Sequence, residues 1–240
     1  MDFDGSVLVV GAALIVLPGA ASAQGYDDLV DSVLLGQLVA NKRSETVAGI
    51  NWYDTYVSVL DDFWFRGEKS RTQVTIAPDS IESLADWVIA AMPEDSRSEV
   101  DRAAAILRRL AAVSDSDPAM HLLRSHMHKR AVAGQVDKAG SLLAQEQAQA
   151  VHMLVIVAHS PTSAASMYLE FKSTGHAALN PLSQLFNAQA IQGPVCLRYA
   201  RSRLFESHYS LVRETVALKV QDRIADNVAL MKLPAMPVPV

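Results

Sequence analysis

VHMLVIVA, residues 151–158, is the stretch whose reading decides the fold class. It is almost unbroken in apolar residues, rich in β-branched ones, and closed by Ser160-Pro161. That length and composition predict a buried strand. Two further segments carry the same signature. Between Ser166 and Lys172, Met167, Leu169 and Phe171 alternate with Tyr168, Glu170 and Lys172. After Gly193-Pro194, Val195, Leu197 and Tyr199 alternate with Arg198 and Ala200. Short strands separated by turns predict an antiparallel sheet or a small sandwich.

Upstream of this sheet the periodicity is helical. Tyr26–Lys42 carries an apolar stripe of Leu29, Val33, Leu34 and Leu38, with Asp27, Asp28 and Asp31 near its first turn. Carboxylates there face the positive end of the helix dipole. NWYDTYVSVLDDFWF, residues 51–65, holds six of the 15 aromatic residues and reads as a second helix capped by Asn51. Asp61 and Asp62 at its end are adjacent, so they point about 100 degrees apart and cannot converge on one bond. Arg66–Ser70 reads as a polar turn and Arg71–Ile76 as a short strand. Asp79-Ser80-Ile81-Glu82 and Ser96-Arg97-Ser98-Glu99 have the capping-box pattern and predict helices through Met92 and Val113. Met120–Arg130 is expected to be strand, while Leu142–Gln149 fits either a helix or a hairpin.

Phe205, Tyr209, Val212, Val216, Val220, Ile224 and Val228 recur at helical spacing and predict one long amphipathic helix from Ser207 to about Met231. The expected fold is therefore α+β. An N-terminal helical layer packs with an antiparallel β-sheet or small sandwich, closed by the long C-terminal amphipathic helix. The chain divides into a hydrophobic segment (1–24), a helical region (25–113), a sheet with its closing helix (118–231) and an extended tail (232–240). The acidic, turn-rich Ser114–Pro118 marks the central boundary.

The first segment admits three readings. Val7–Leu17 is an apolar run followed by Ala20-Ala21-Ser22-Ala23, the pattern of a signal peptide cleaved before Gln24. Its start, Met-Asp-Phe-Asp-Gly, lacks the expected basic residue, which suits a retained packing helix instead. Membrane contact through residues 7–17 is the third, although the run is shorter than the about 20 residues that a spanning helix needs. Localisation follows this choice: secreted or periplasmic if residues 1–23 are removed, otherwise cytoplasmic or membrane-associated.

Composition excludes several classes. The 21 Lys+Arg against 26 Asp+Glu leave a net charge of -5, the wrong sign for general nucleic-acid binding. The single cysteine, Cys196, allows neither an intrachain disulfide nor a cysteine-based zinc cluster. No nucleophile elbow, zinc-protease motif, phosphate loop or dinucleotide fingerprint occurs, and no cofactor is expected.

Two clusters remain as candidate chemistry. On a strand, His126 and His128 would share a face and, with His121 and Asp117, could ligate a metal or serve a hydrolase. Arg198, Arg201 and Arg203 could hold a phosphate or carboxylate, although charge also protects a sheet edge. Apolar ends without a catalytic motif favour a different function, a non-enzymatic interaction or self-assembling protein, exported or membrane-contacting. Its expected contacts are Val9, Val10, Leu14, Ile15 and Leu17 at one end and Met236 and Val238 at the other.

Overall fold

The computed structural model describes residues 6–19, 25–93, 97–128, 149–174, 180–231 and 233. In chain order the elements are β1 (Val7–Val10), β2 (Ala13–Val16), α1 (Asp27–Thr46), α2 (Trp52–Leu60), β3 (Trp64–Val74), β4 (Ile81–Ser83), α3 (Leu84–Ala91) and α4 (Arg97–Ala111). They continue with α5 (Pro118–Met127), β5 (Gln149–Ser160), β6 (Ser163–Ser173), β7 (Leu185–Asn187), β8 (Val195–Leu204), α6 (Glu206–Tyr209), α7 (Arg213–Asn227) and β9 (Val228–Met231).

The fold is mixed α+β. Seven strands form one sheet in the order β3-β8-β6-β5-β2-β1-β9, antiparallel throughout except where β2 runs parallel to β5. Strands β4 and β7 make a second, two-stranded sheet. Helices cover both faces of the large sheet, so it is one sheet between helical layers and not a sandwich. One core joins α3, α4 and α5 to the face carrying Met153, Val155, Leu169 and Leu197. The other joins α1, α2 and α7 to the face carrying Leu154, Ile156 and Tyr168.

The apolar run near the start forms neither a helix nor a surface strip. Val7↔Val16 through Val10↔Ala13 pair as a hairpin, and β2 adds to β5 inside the sheet. Gly11, at φ 55, takes the first turn position where a two-residue hairpin needs positive φ. Gln37 of α1 reaches over this turn. Its Oε1 accepts from the Ala12 N–H at 2.9 Å, and its Nε2 donates to the Val10 carbonyl at 2.7 Å. A Cβ at position 11 would lie 2.6 Å from that Oε1, so a side chain there would also push Gln37 out of its clamp.

Several boundaries differ from expectation. Helix α2 ends at Leu60, and Trp64 and Phe65 open the 11-residue β3, which also absorbs the supposed turn at Arg66–Ser70. Ser83, not Asp79, caps α3 in a box with Asp86, while Glu82 accepts from the Trp87 indole. Met120 lies within a helix, because Asp117 caps α5 and Pro118 occupies its first turn, where a missing N–H costs nothing. The second capping serine, Ser96, lies outside the described residues, as do all but the end of Leu142–Gln149 and the whole of Pro234–Val240.

The long closing helix is not formed. Its stripe breaks at Ser210–Val212 into α6 and α7, and the chain leaves α7 at Asn227 to pair with β1 as β9. Helix α7 packs chiefly along α1. Only Val216, Val220 and Asn227 of its residues are buried, and Ile224, expected inside, is 38% exposed. A strand gains more here than another helical turn, because Val228–Met231 complete the ladder beside a hairpin that would otherwise be an edge.

Candidate functional site

The residues expected to meet a partner are in the protein's own core. Val9, Val10, Leu14, Ile15 and Leu17 have no exposed surface, because strand alternation sends them into both helical layers. Met236 and Val238 lie outside the described residues. Among the described residues no helix is long and apolar enough to cross a membrane.

The histidines do not converge. His121 and His126 sit on α5 five residues apart, about 140 degrees around the axis. His121 Nδ1 lies 3.0 Å from the Arg124 guanidinium. His128 follows the helix, bridges to Val151, and borders a cavity of about 10 Å³, room for one water at most. Burial lowers the pKa of both His126 and His128, with Arg124 adding to the effect at His128. Among the described residues no three His, Cys, Asp or Glu side chains are grouped to hold a metal.

The arginines divide across the sheet. Arg198 faces α2, where it lies 4.8 Å over the Tyr53 ring and pairs with Asp54. Arg201 faces α4 and binds Glu99 at 3.0 Å and Glu68 at 3.3 Å. Glu99 also takes His159 Nε2 at 3.2 Å and the Tyr199 hydroxyl at 3.3 Å. Arg203 is exposed. Arg198 and Arg201 are thus already engaged with carboxylates, and the three guanidinium groups share no common anion site.

The α2 face of the sheet holds an aromatic cluster. Trp52 stacks on Tyr56 at 5.4 Å and on Tyr168 at 5.9 Å, and His152 lies 4.5 Å from Trp52. Trp52 donates to Asn41 Oδ1, and Tyr168 donates to Glu170. Burial pushes the Tyr56 and Tyr168 phenols above their ordinary pKa, so both keep their protons. This cluster fastens α2 to the sheet. A Cβ at Gly36 would lie 2.8 Å from the Tyr56 ring, so the approach of α1 to α2 also needs a glycine.

The sheet's outer strands are the remaining reactive backbone. At one edge β3 pairs only with β8 among the described residues, and at the other β9 pairs only with β1. Strand β3 displays Arg66, Glu68, Lys69 and Arg71 and is bulged between Arg66 and Glu68. Strand β9 is Val-Ala-Leu-Met without a charge or a bulge, and Leu230 is 58% exposed. The Gly11 N–H donates to the Asn227 carbonyl at 2.8 Å, which sets the alternation of the ladder. Val228 and Leu230 therefore turn their backbone N–H and C=O away from β1.

Sequence reasoning assigned no role to Leu230 or to the exposed Leu218 of α7, and treated Ile224 as buried and Asp31 as a dipole partner. A four-residue strand directly after a helix leaves no periodic trace of its own. Compared with known proteins, the sequence matches no protein-family model and no curated protein.

Proposed function

We propose that this is a non-enzymatic, self-assembling protein, and that a second copy pairs with the side of β9 that has no strand partner among the described residues. The observation that carries this reading is the uncharged, unbulged β9 edge, with the outward backbone groups of Val228 and Leu230. Antiparallel pairing of one strand with its own copy is self-complementary, as a two-fold dimer requires. It would extend the sheet across the dimer and cover Leu230. A four-residue strand buries little area, so the association is expected to be weak and concentration-dependent.

No specific contact favours a hydrolase built on His121, His126 and His128, because α5 sends the first two to different sides and His128 lies beyond its end. Sedimentation velocity across a concentration series tests the proposal. The full chain should shift from monomer toward dimer, and Leu230→Lys should hold it monomeric with unchanged circular dichroism. A full chain that stays monomeric at every concentration overturns the reading.

A further inference from the structure

Outside the β9 edge, one groove of about 420 Å³ runs between α1 and α7, lined by Asp31, Glu214, Ala217, Leu218, Gln221 and Ile224. Its floor is unusual. Asp31 is 9% exposed and has no hydrogen bond or ion pair among the described residues. Burial, then the neighbouring Asp27 and Asp28, raise its pKa to about 6. The Arg213 guanidinium on α7 is already committed elsewhere. Arg213 is bound to Asp28 through Nε at 3.0 Å and Nη2 at 3.1 Å, and also pairs with Glu206.

A partly desolvated carboxylate without a counter-ion is costly to keep ionised, and it favours a cation placed against it. The walls define which cation. Leu218 is 70% exposed and Ile224 38%, so the groove mouth is apolar at a position where solvent-facing side chains are ordinarily polar. A hydrated metal ion gains nothing from such walls and needs more oxygen ligands than Asp31 and Glu214 supply. We propose that this groove binds a primary alkylammonium ion. The ammonium would pair with Asp31 and Glu214, and its hydrocarbon chain would cover Leu218, Ala217 and Ile224.

The site would be selective for charge and chain together. An alcohol of the same length cannot pair with Asp31, and a carboxylate is repelled by Asp27, Asp28, Asp31 and Glu214. Affinity should rise with pH as Asp31 ionises. The other groups facing it are Asp27 and Asp28 on α1, Glu214 and Arg213 on α7, and Tyr209 on α6, whose phenol is raised by burial and by Asp28 and Asp31.

Isothermal titration of the full chain with hexylammonium chloride, with 1-hexanol and hexanoate as comparators, tests the site. Run on the Leu230→Lys chain, it is independent of any association through β9. Hexylammonium should bind while hexanol and hexanoate do not, and Asp31→Asn should weaken it at least about tenfold. Binding should also weaken about tenfold between about pH 7.5 and about pH 5, as the ionised fraction of Asp31 falls. Absence of binding at millimolar hexylammonium overturns the proposal. So does equal binding of hexanol, or binding that a folded Asp31→Asn chain retains in full.

Discussion

Strands β3 and β9 bound the same sheet, and both leave a row of backbone donors and acceptors without a strand partner among the described residues. Their side chains treat that row differently. Strand β3 is 11 residues long and carries Arg66, Glu68, Lys69 and Arg71 with a bulge, devices that oppose pairing with another chain. Strand β9 has four residues and, among the described residues, none of these devices. A long edge must be defended by charge, whereas a short one can stay apolar because it offers few bonds at a time. The two edges therefore differ in how strongly their side chains oppose pairing with another chain.

The largest effect should come from the strand that creates the β9 edge. Val9→Asp places a carboxylate in the core between β2 and β9, and should cost more than about 4 kcal/mol, seen as loss of cooperative thermal unfolding. Next is the clamp on the hairpin turn. Gln37→Leu leaves the buried Ala12 N–H without a partner and removes one of the bonds to the Val10 carbonyl, and should cost about 1–3 kcal/mol by urea denaturation.

Exchanging the character of the two edges sharpens the comparison directly. Replacing Glu68, Lys69 and Arg71 by valine should make the β3 edge adhesive and raise light scattering well above that of the parent chain. Leu230→Lys should do the reverse at β9, raising the dimer dissociation constant at least about tenfold while changing stability by less than about 0.5 kcal/mol. Association that survives Leu230→Lys undiminished would locate the contact elsewhere.

The smallest effect concerns pH. Asp31 holds its proton more tightly folded than unfolded, so its contribution favours the folded state below about pH 4 and is lost as pH rises through about 6. Asp31→Asn should therefore stabilise the protein at neutral pH by about 1 kcal/mol, after allowing for screening at the groove mouth. The gain should vanish near pH 4, because the parent carboxyl is then protonated. Thermal unfolding at both pH values would measure it.

Much of the sheet was legible before any coordinates. Val151–Ala158, Ser166–Lys172 and Val195–Tyr199 all lie in the strands they predicted, the first through its long β-branched apolar run and the other two through period-two alternation. Tyr26–Lys42 and the aromatic helix were legible for the corresponding reason at period 3.6. Val7–Leu17 was not. Buried on both faces, β1 and β2 lack alternation, and only Gly11-Ala12 between two four-residue apolar halves hinted at a hairpin. Asp117-Pro118 was the unused signal for α5. At the candidate sites, the sequence grouped His126 with His128 and Arg201 with Arg203 by proximity along the chain. It had no means of placing Asp31 beside Leu218, nearly 190 residues away.

The amino-acid sequence by itself determined the α+β class, the central strands and the absence of a disulfide framework, because periodicity and composition are local properties of the chain. Tertiary structure alone decided that the apolar start lies inside the sheet, that the last helix yields to a strand, and which strands lie outermost among the described residues. Those outcomes depend on which backbone groups and apolar faces find partners distant in the chain, and a stretch of residues carries no record of what will pack against it.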